Sequence, residues 1–223
     1  MALQILDPDS AIVLNEILAE PALPVGTAAA GPGGERGAAL REAIDHLTSV
    51  RTADVRGRSA EDTDTLLRDL AAIDSELADV FRWHIALVAV LETGEPSRAR
   101  NALLGDIARG DVLTLATDVR RWQWRDGEAP SEQRPIRTVD GVVIVDEFPG
   151  LYDYILVSTN GTLVALPTNR DRVSWDPAGP EWVVKLDRVT FHRDELIELG
   201  SHPRDAEGWR EPIHTAREIN GIR

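Results

Sequence analysis

The chain has 223 residues, with 38 acidic side chains against 24 lysines and arginines, a formal charge of −14 and a pI near 4.7. Such an acidic surface makes nucleic acid and anionic membrane poor partners, and its plain meaning is solubility. No cysteine is present, so disulfides, thiolate metal sites and cysteine nucleophiles are excluded.

The opening MALQILDPDSAIVLNEILAE has no basic segment leading into an apolar run, so no signal peptide is expected. No stretch reaches the roughly 20 apolar residues of a membrane span. The expectation is a cytoplasmic protein. The abundance of Gly, Ala and Arg over Lys resembles the usage of high-GC bacterial genomes.

Residues 9–20 predict a short helix opened by Asp9 or Ser10, with Ile12, Leu14, Ile17 and Leu18 as its stripe. PALPVGTAAAGPGGERG then reads as a loop or mobile linker, so 1–36 is set apart as an N-terminal helix and flexible loop. A helix resumes near Ala38, with Leu40, Ile44 and Leu47 at i, i+4 and i+7. Ser59 with Asp62 marks another helix start. Beyond it Leu66, Leu67, Leu70, Ile73, Leu77, Val80 and Phe81 keep helical spacing. From Trp83 to Leu91 the segment is apolar nearly all round, which predicts burial. Gly94 and Pro96 stop it, and SRARNALLGDIARG forms a last helix ending at Gly110. Residues 37–110 thus predict a helical domain.

The period then changes. VLTLAT, RRWQW, VVIV, YILVS, TLVAL and WVVKL are short β-branched and aromatic runs. Asp126-Gly127, Asp140-Gly141, Asn160-Gly161 and Asp176-Pro177 read as turns between them. Residues 111–199 therefore predict an antiparallel barrel or sandwich of about six or seven strands. Residues 200–223 read as an irregular tail. The fold class is α+β, with a helical domain followed by an antiparallel β domain.

Four segments, in order, resemble the acyl-CoA dehydrogenase superfamily. Asp74-Ser75-Glu76-Leu77-Ala78 resembles a helix start of D-x-S-x-A type. Ile107–Asp118 resembles the passage from helix into the first β strand. Asp140–Val157 resembles the N-G-x-K-x-W-I-T … A-D segment. Lys185–Leu199 resembles the closing F-D-x-V-x-V-P segment. The resemblance covers roughly 160 residues and implies the family's first two domains. It stops before the third, helical domain, which supplies the family's catalytic glutamate.

The departures lie at the family's flavin contacts. Where the family reads T-E-P-x-x-G-S-D, this chain reads Thr117-Asp118-Val119-Arg120-Arg121-Trp122-Gln123-Trp124. Ile144 or Val145 stands for the family's flavin-packing tryptophan, and Glu147 stands near its Thr or Ser. A carboxylate there would oppose flavin reduction. The resemblance thus implies a scaffold that has lost flavin chemistry and needs no cofactor. FAD restored by a partner subunit is the alternative.

The residues add candidates of their own. In a regular strand Arg120, Trp122 and Trp124 share one face, where they could wall a substrate pocket with Thr117, Trp83 and Tyr152. The structural reading is an amphipathic strand packed on the helical half. Asp146, Glu147 and His84 are the candidate catalytic groups. Against them stand a polar strand end before Phe148-Pro149-Gly150 and a hydrogen-bonded core histidine. No histidine spacing suits a metal.

Three functions compete. One is a cofactor-free cyclase, isomerase or lyase acting on an acyl or polyketide-like substrate in specialised metabolism. Another is an FAD-dependent oxidoreductase completed by a partner. The third is a non-catalytic binding or scaffold module whose bare apolar surface is covered by homodimerisation.

Overall fold

The computed structural model describes residues 6–19, 34–52, 54–126, 136–146, 149–159, 162–178, 181–192 and 195–198. Most of the expected loop (21–33) and the tail over 200–223 lie outside them, as do Glu147, Gly127 and Gly161, whereas the loop's last residues, from Gly34, begin a helix.

Among the described residues five helices form first: α1 (Pro8–Leu18), α2 (Gly34–Ser49), α3 (Ala60–Ile73), α4 (Ser75–Thr93) and α5 (Arg98–Ile107). Asp7 opens α1, accepting from the Ser10 amide at 2.9 Å and its hydroxyl at 2.6 Å, so the cap lies upstream of Asp9 and Ser10. Ser59 caps α3 through the Asp62 amide at 3.1 Å. The apolar spacing runs on unbroken, but the backbone does not. Asp74 is extended (φ −157, ψ 125) and accepts from the Leu77 amide at 3.0 Å, ending α3 and starting α4. The break falls where the D-x-S-x-A resemblance puts a helix start. Helix α4 buries Leu77, Phe81, Ile85, Leu87, Val88 and Leu91, as its all-round apolarity predicts.

Among the described residues eight strands follow, in two sheets. The inner sheet has the order β1 (Leu113–Leu115), β4 (Tyr154–Thr159), β5 (Thr162–Pro167) and β8 (Leu196–Glu198). The outer sheet has the order β2 (Asp118–Asp126), β3 (Ile136–Val145), β7 (Glu181–His192) and β6 (Val173–Ala178). All pairs are antiparallel except β1 with β4. The β half is a two-sheet sandwich rather than a closed barrel.

The inner sheet is the middle of three layers. Leu156 and Leu163 face the helices, whereas Ile155, Val157, Val164 and Leu166 face the outer sheet. One apolar core thus lies between helices and sheet and a second lies inside the sandwich.

Two expected turns are strand interior. Asp140-Gly141 lies within β3, where both neighbouring strands bulge: Arg121 (φ 55) on β2 and Arg188 (φ 50) on β7. The Asp140 carboxylate holds this place, accepting from the Arg188 amide at 2.9 Å and pairing with Arg125 at 2.8 Å. Asp176-Pro177 lies in β6, an edge strand, where a missing N–H is tolerated. Among the described residues no helix is long and apolar enough to cross a membrane.

Candidate functional site

The bulge at Arg121 decides what β2 presents. It inserts one residue between Arg120 and Gln123 and breaks the simple alternation. Trp122 and Trp124 pack with Val119 against the sandwich core. Arg120 is exposed and pairs with Asp118 at 2.7 Å on the opposite face. Arg120 and the two tryptophans therefore do not share a face.

Inside the sandwich the aromatic rings form an edge-to-face row. Trp122 and Trp124 lie 5.6 Å apart, and Trp124 and Phe191 lie 6.1 Å apart. Arg137 sits 5.8 Å over Trp124, and Arg170 sits 4.8 Å over Phe191. The Trp122 indole N–H is buried without an acceptor among the described residues.

The other nominated residues lie apart from this row. Thr117 follows β1, and its amide and hydroxyl both donate to the Ile144 carbonyl, at 2.8 and 3.2 Å. His84 is fully buried in α4 and its Nδ1 accepts from the Leu113 amide at 3.2 Å, which fixes the start of β1. That bond makes it a core histidine with a defined structural task. Trp83 packs on the helix-side core. Asp146 is exposed at the end of β3. Tyr152 is 1% exposed in the helix-side core, and its hydroxyl reaches no acceptor among the described residues. Trp122 and Tyr152 thus retain unspent donors but belong to different cores.

A cluster not nominated from the sequence lies where the helices meet the inner sheet. Asp153 accepts from the Val112 amide at 2.9 Å and faces Arg41 of α2 at 3.2 Å. The Tyr154 hydroxyl donates to Asp106 of α5 at 3.0 Å, and Arg109 pairs with Asp106. Burial, then the hydrogen bond to Asp106, pushes the Tyr154 phenol well above its ordinary value. Asp111 lies beside them, its carboxyl pushed up to about 6 by burial and by Asp153 and Asp106. No motif announces this cluster, because its members come from α2, α5, β4 and two connections.

No protein-family profile and no curated protein matches the sequence. Solved structures do match. Methanesulfinate monooxygenase MsuC from Pseudomonas fluorescens is 20% identical (TM-score 0.58), the match covering 96% of this chain and 60% of that one. A glutaryl-CoA dehydrogenase from Mycobacterium smegmatis in complex with FADH2 is 13% identical (TM-score 0.58), with the same coverage. KijD3, in complex with FMN and a dTDP-linked amino sugar, is 10% identical (TM-score 0.56), covering 100% of this chain and 66% of that one. The chain thus has the acyl-CoA dehydrogenase fold across its helices and sheets, and it spans about 60% of the length of the first two structures.

These structures overturn the expectation of a protein without a cofactor. Of the three, one holds FADH2 and another FMN. That expectation rests on altered strand residues, whereas proteins that share the backbone hold flavin. The described residues do not, however, make a flavin cradle of their own. The Thr117 hydroxyl is spent on Ile144, Asp118 and Arg120 pair with each other, Ile144 is 1% exposed, and the tryptophans of β2 turn into the sandwich.

Proposed function

We propose that this chain is the helical and β-sandwich portion of a flavin-dependent oxidoreductase of the acyl-CoA dehydrogenase type, acting on an acyl or polyketide-like substrate. The carrying observation is the fold match, which covers nearly the whole chain and includes proteins that hold FADH2 and FMN. Because the described residues leave the cradle incomplete, further elements supply the rest. A helical partner subunit or a second copy of this chain would do so. A cofactor-free cyclisation is not carried forward.

Within that reading the chain's own contribution is scaffold. Trp122, Trp124 and Phe191 pack inside the sandwich and stiffen it, and the Tyr152 hydroxyl in the other core, without an acceptor among the described residues, is a donor with capacity left for a substrate carbonyl. The test uses the native assembly, isolated from its source cells through a tag on this chain. Acyl substrates are added without oxygen as free acid, CoA thioester and carrier-protein thioester. Loss of the oxidised-flavin absorbance with one of them is expected. Persistence with all three contradicts the oxidoreductase reading.

A further inference from the structure

We propose that the outward face of the outer sheet is the surface on which two copies of this chain pair. They meet face to face about a two-fold axis parallel to two rungs of that sheet, one running through Arg120, Val142 and Lys185, the other through Asp118, Ile144 and Val183. The inference does not depend on the flavin reading.

Over this block the pairing of β2, β3, β7 and β6 is regular. Arg120, Val142, Lys185 and Ser174 stand side by side on one rung, and Asp118, Ile144, Val183 and Asp176 on the other. The rung between them, Val119, Val143, Val184 and Trp175, packs into the sandwich core. Alternation therefore turns the first two rungs outward, about 7 Å apart. The outer sheet is the last of three layers, so among the described residues no layer covers that face. Val142 and Val183 are half-buried and Ile144 is buried beside them, which gives the face an apolar centre.

The charges make the face complementary to itself. One rung carries the cations Arg120 and Lys185, and the other carries the anions Asp118 and Asp176. Within one copy they pair across the rungs, Arg120 with Asp118 at 2.7 Å and Lys185 with Asp176 at 2.5 Å. All four side chains are more than half exposed, so these pairs contribute little alone and stay open to further partners. Rotation about the axis exchanges the rungs, laying each cationic rung on the anionic rung of the second copy. Arg120 then faces Asp118 of that copy, and Lys185 faces its Val183 and Asp176. Such a contact is isologous and closes as a dimer.

Charge and area both favour a second copy. The chain carries −14, so most pairings of its surfaces set like charges against each other. This block is balanced, with two cations and two anions. Four strands about 4.8 Å apart and roughly nine residues long span about 600 Å². That is about what one partner gives to a stable interface at the lower end of the standard size.

The test measures the mass of the full chain by sedimentation. The parent is expected at twice its 24.5 kDa, shifting toward monomer as salt is raised. Arg120→Glu with Lys185→Glu makes both rungs negative, and Asp118→Lys with Asp176→Lys makes both positive. Each double variant is expected to be a monomer with unchanged circular dichroism, and an equimolar mixture of the two to be a dimer. A monomeric parent, a dimeric double variant or a mixture that stays monomeric overturns the proposal. Where a charge variant does not fold, cross-linking decides, since the chain has no cysteine of its own. Lys185→Cys and Val183→Cys chains, mixed and oxidised, are expected to join mainly to each other. Joining of each chain equally to itself, or no joining, overturns the proposal.

Discussion

Thr48 closes over Gly110. A Cβ at position 110 would lie 2.0 Å from Thr48 Cγ2, and the glycine adopts φ +108, which L side chains rarely take. The Thr48 hydroxyl donates to the Gly110 carbonyl at 3.1 Å, tying the end of α2 to the exit from α5. The sequence suggests Gly110 as a helix terminator. The structure adds a reason from packing. Gly110→Ala is expected to cost about 2–3 kcal/mol by denaturant unfolding. Thr48→Ser in that background is expected to recover about 1 kcal/mol, because it removes the clashing methyl and keeps the hydroxyl. An additive double mutant would show that the contact does not matter.

Tyr152 separates two meanings of a buried hydroxyl. Its oxygen has no acceptor among the described residues although the side chain is 1% exposed. If it serves packing alone, Tyr152→Phe removes an unpaired polar atom and leaves stability unchanged or raised by up to about 1 kcal/mol. If it meets a substrate carbonyl, the same variant keeps stability and loses turnover. The account expects the second result in the native assembly. Unchanged turnover would remove Tyr152 from the site.

Asp74 carries both a cap and an ion pair. Burial raises its carboxyl, but the hydrogen bonds from Arg36 and from the Leu77 amide outweigh burial and hold it below 3.8. A lowered folded value gives stability that is present above pH 4 and lost as pH falls below it. Asp74→Ala is expected to cost about 0.5–2 kcal/mol at pH 7 and proportionately less below pH 3.5, read from urea midpoints. A cost that does not change with pH would assign the effect to helix propensity instead.

Trp124 is the middle ring of the row, touching Trp122 and Phe191 edge-on. Trp124→Ala is expected to cost about 3–5 kcal/mol, and Trp124→Phe markedly less. A near-neutral Trp124→Ala would mean that the row is a hollow pocket wall rather than packed core.

Local rules explain what was legible in the sequence. Ser59 and its amide partner, the apolar α4 and the β-branched runs follow from spacing, and the structure has each of them. The missed features arise from pairing between distant strands. Asp140-Gly141 has turn chemistry, yet bulges on both neighbours let β3 run straight through it. One of those bulges turns Arg120 away from Trp122, which alternation along an isolated strand would have placed together. The charged seam was invisible because Arg41, Asp106 and Asp153 meet only in three dimensions. The expectation of no cofactor fails for a related reason, since altered side chains suggest a lost cofactor while the backbone fold is shared with proteins that hold flavin.

The central claim is that this scaffold works as part of a flavoprotein. Its most direct test is the visible absorption spectrum of the native assembly isolated through this chain, with the bound cofactor then released and identified by mass. The account predicts a flavin band that migrates with the chain and releases FAD or FMN. A colourless assembly that takes up neither flavin on incubation would contradict it.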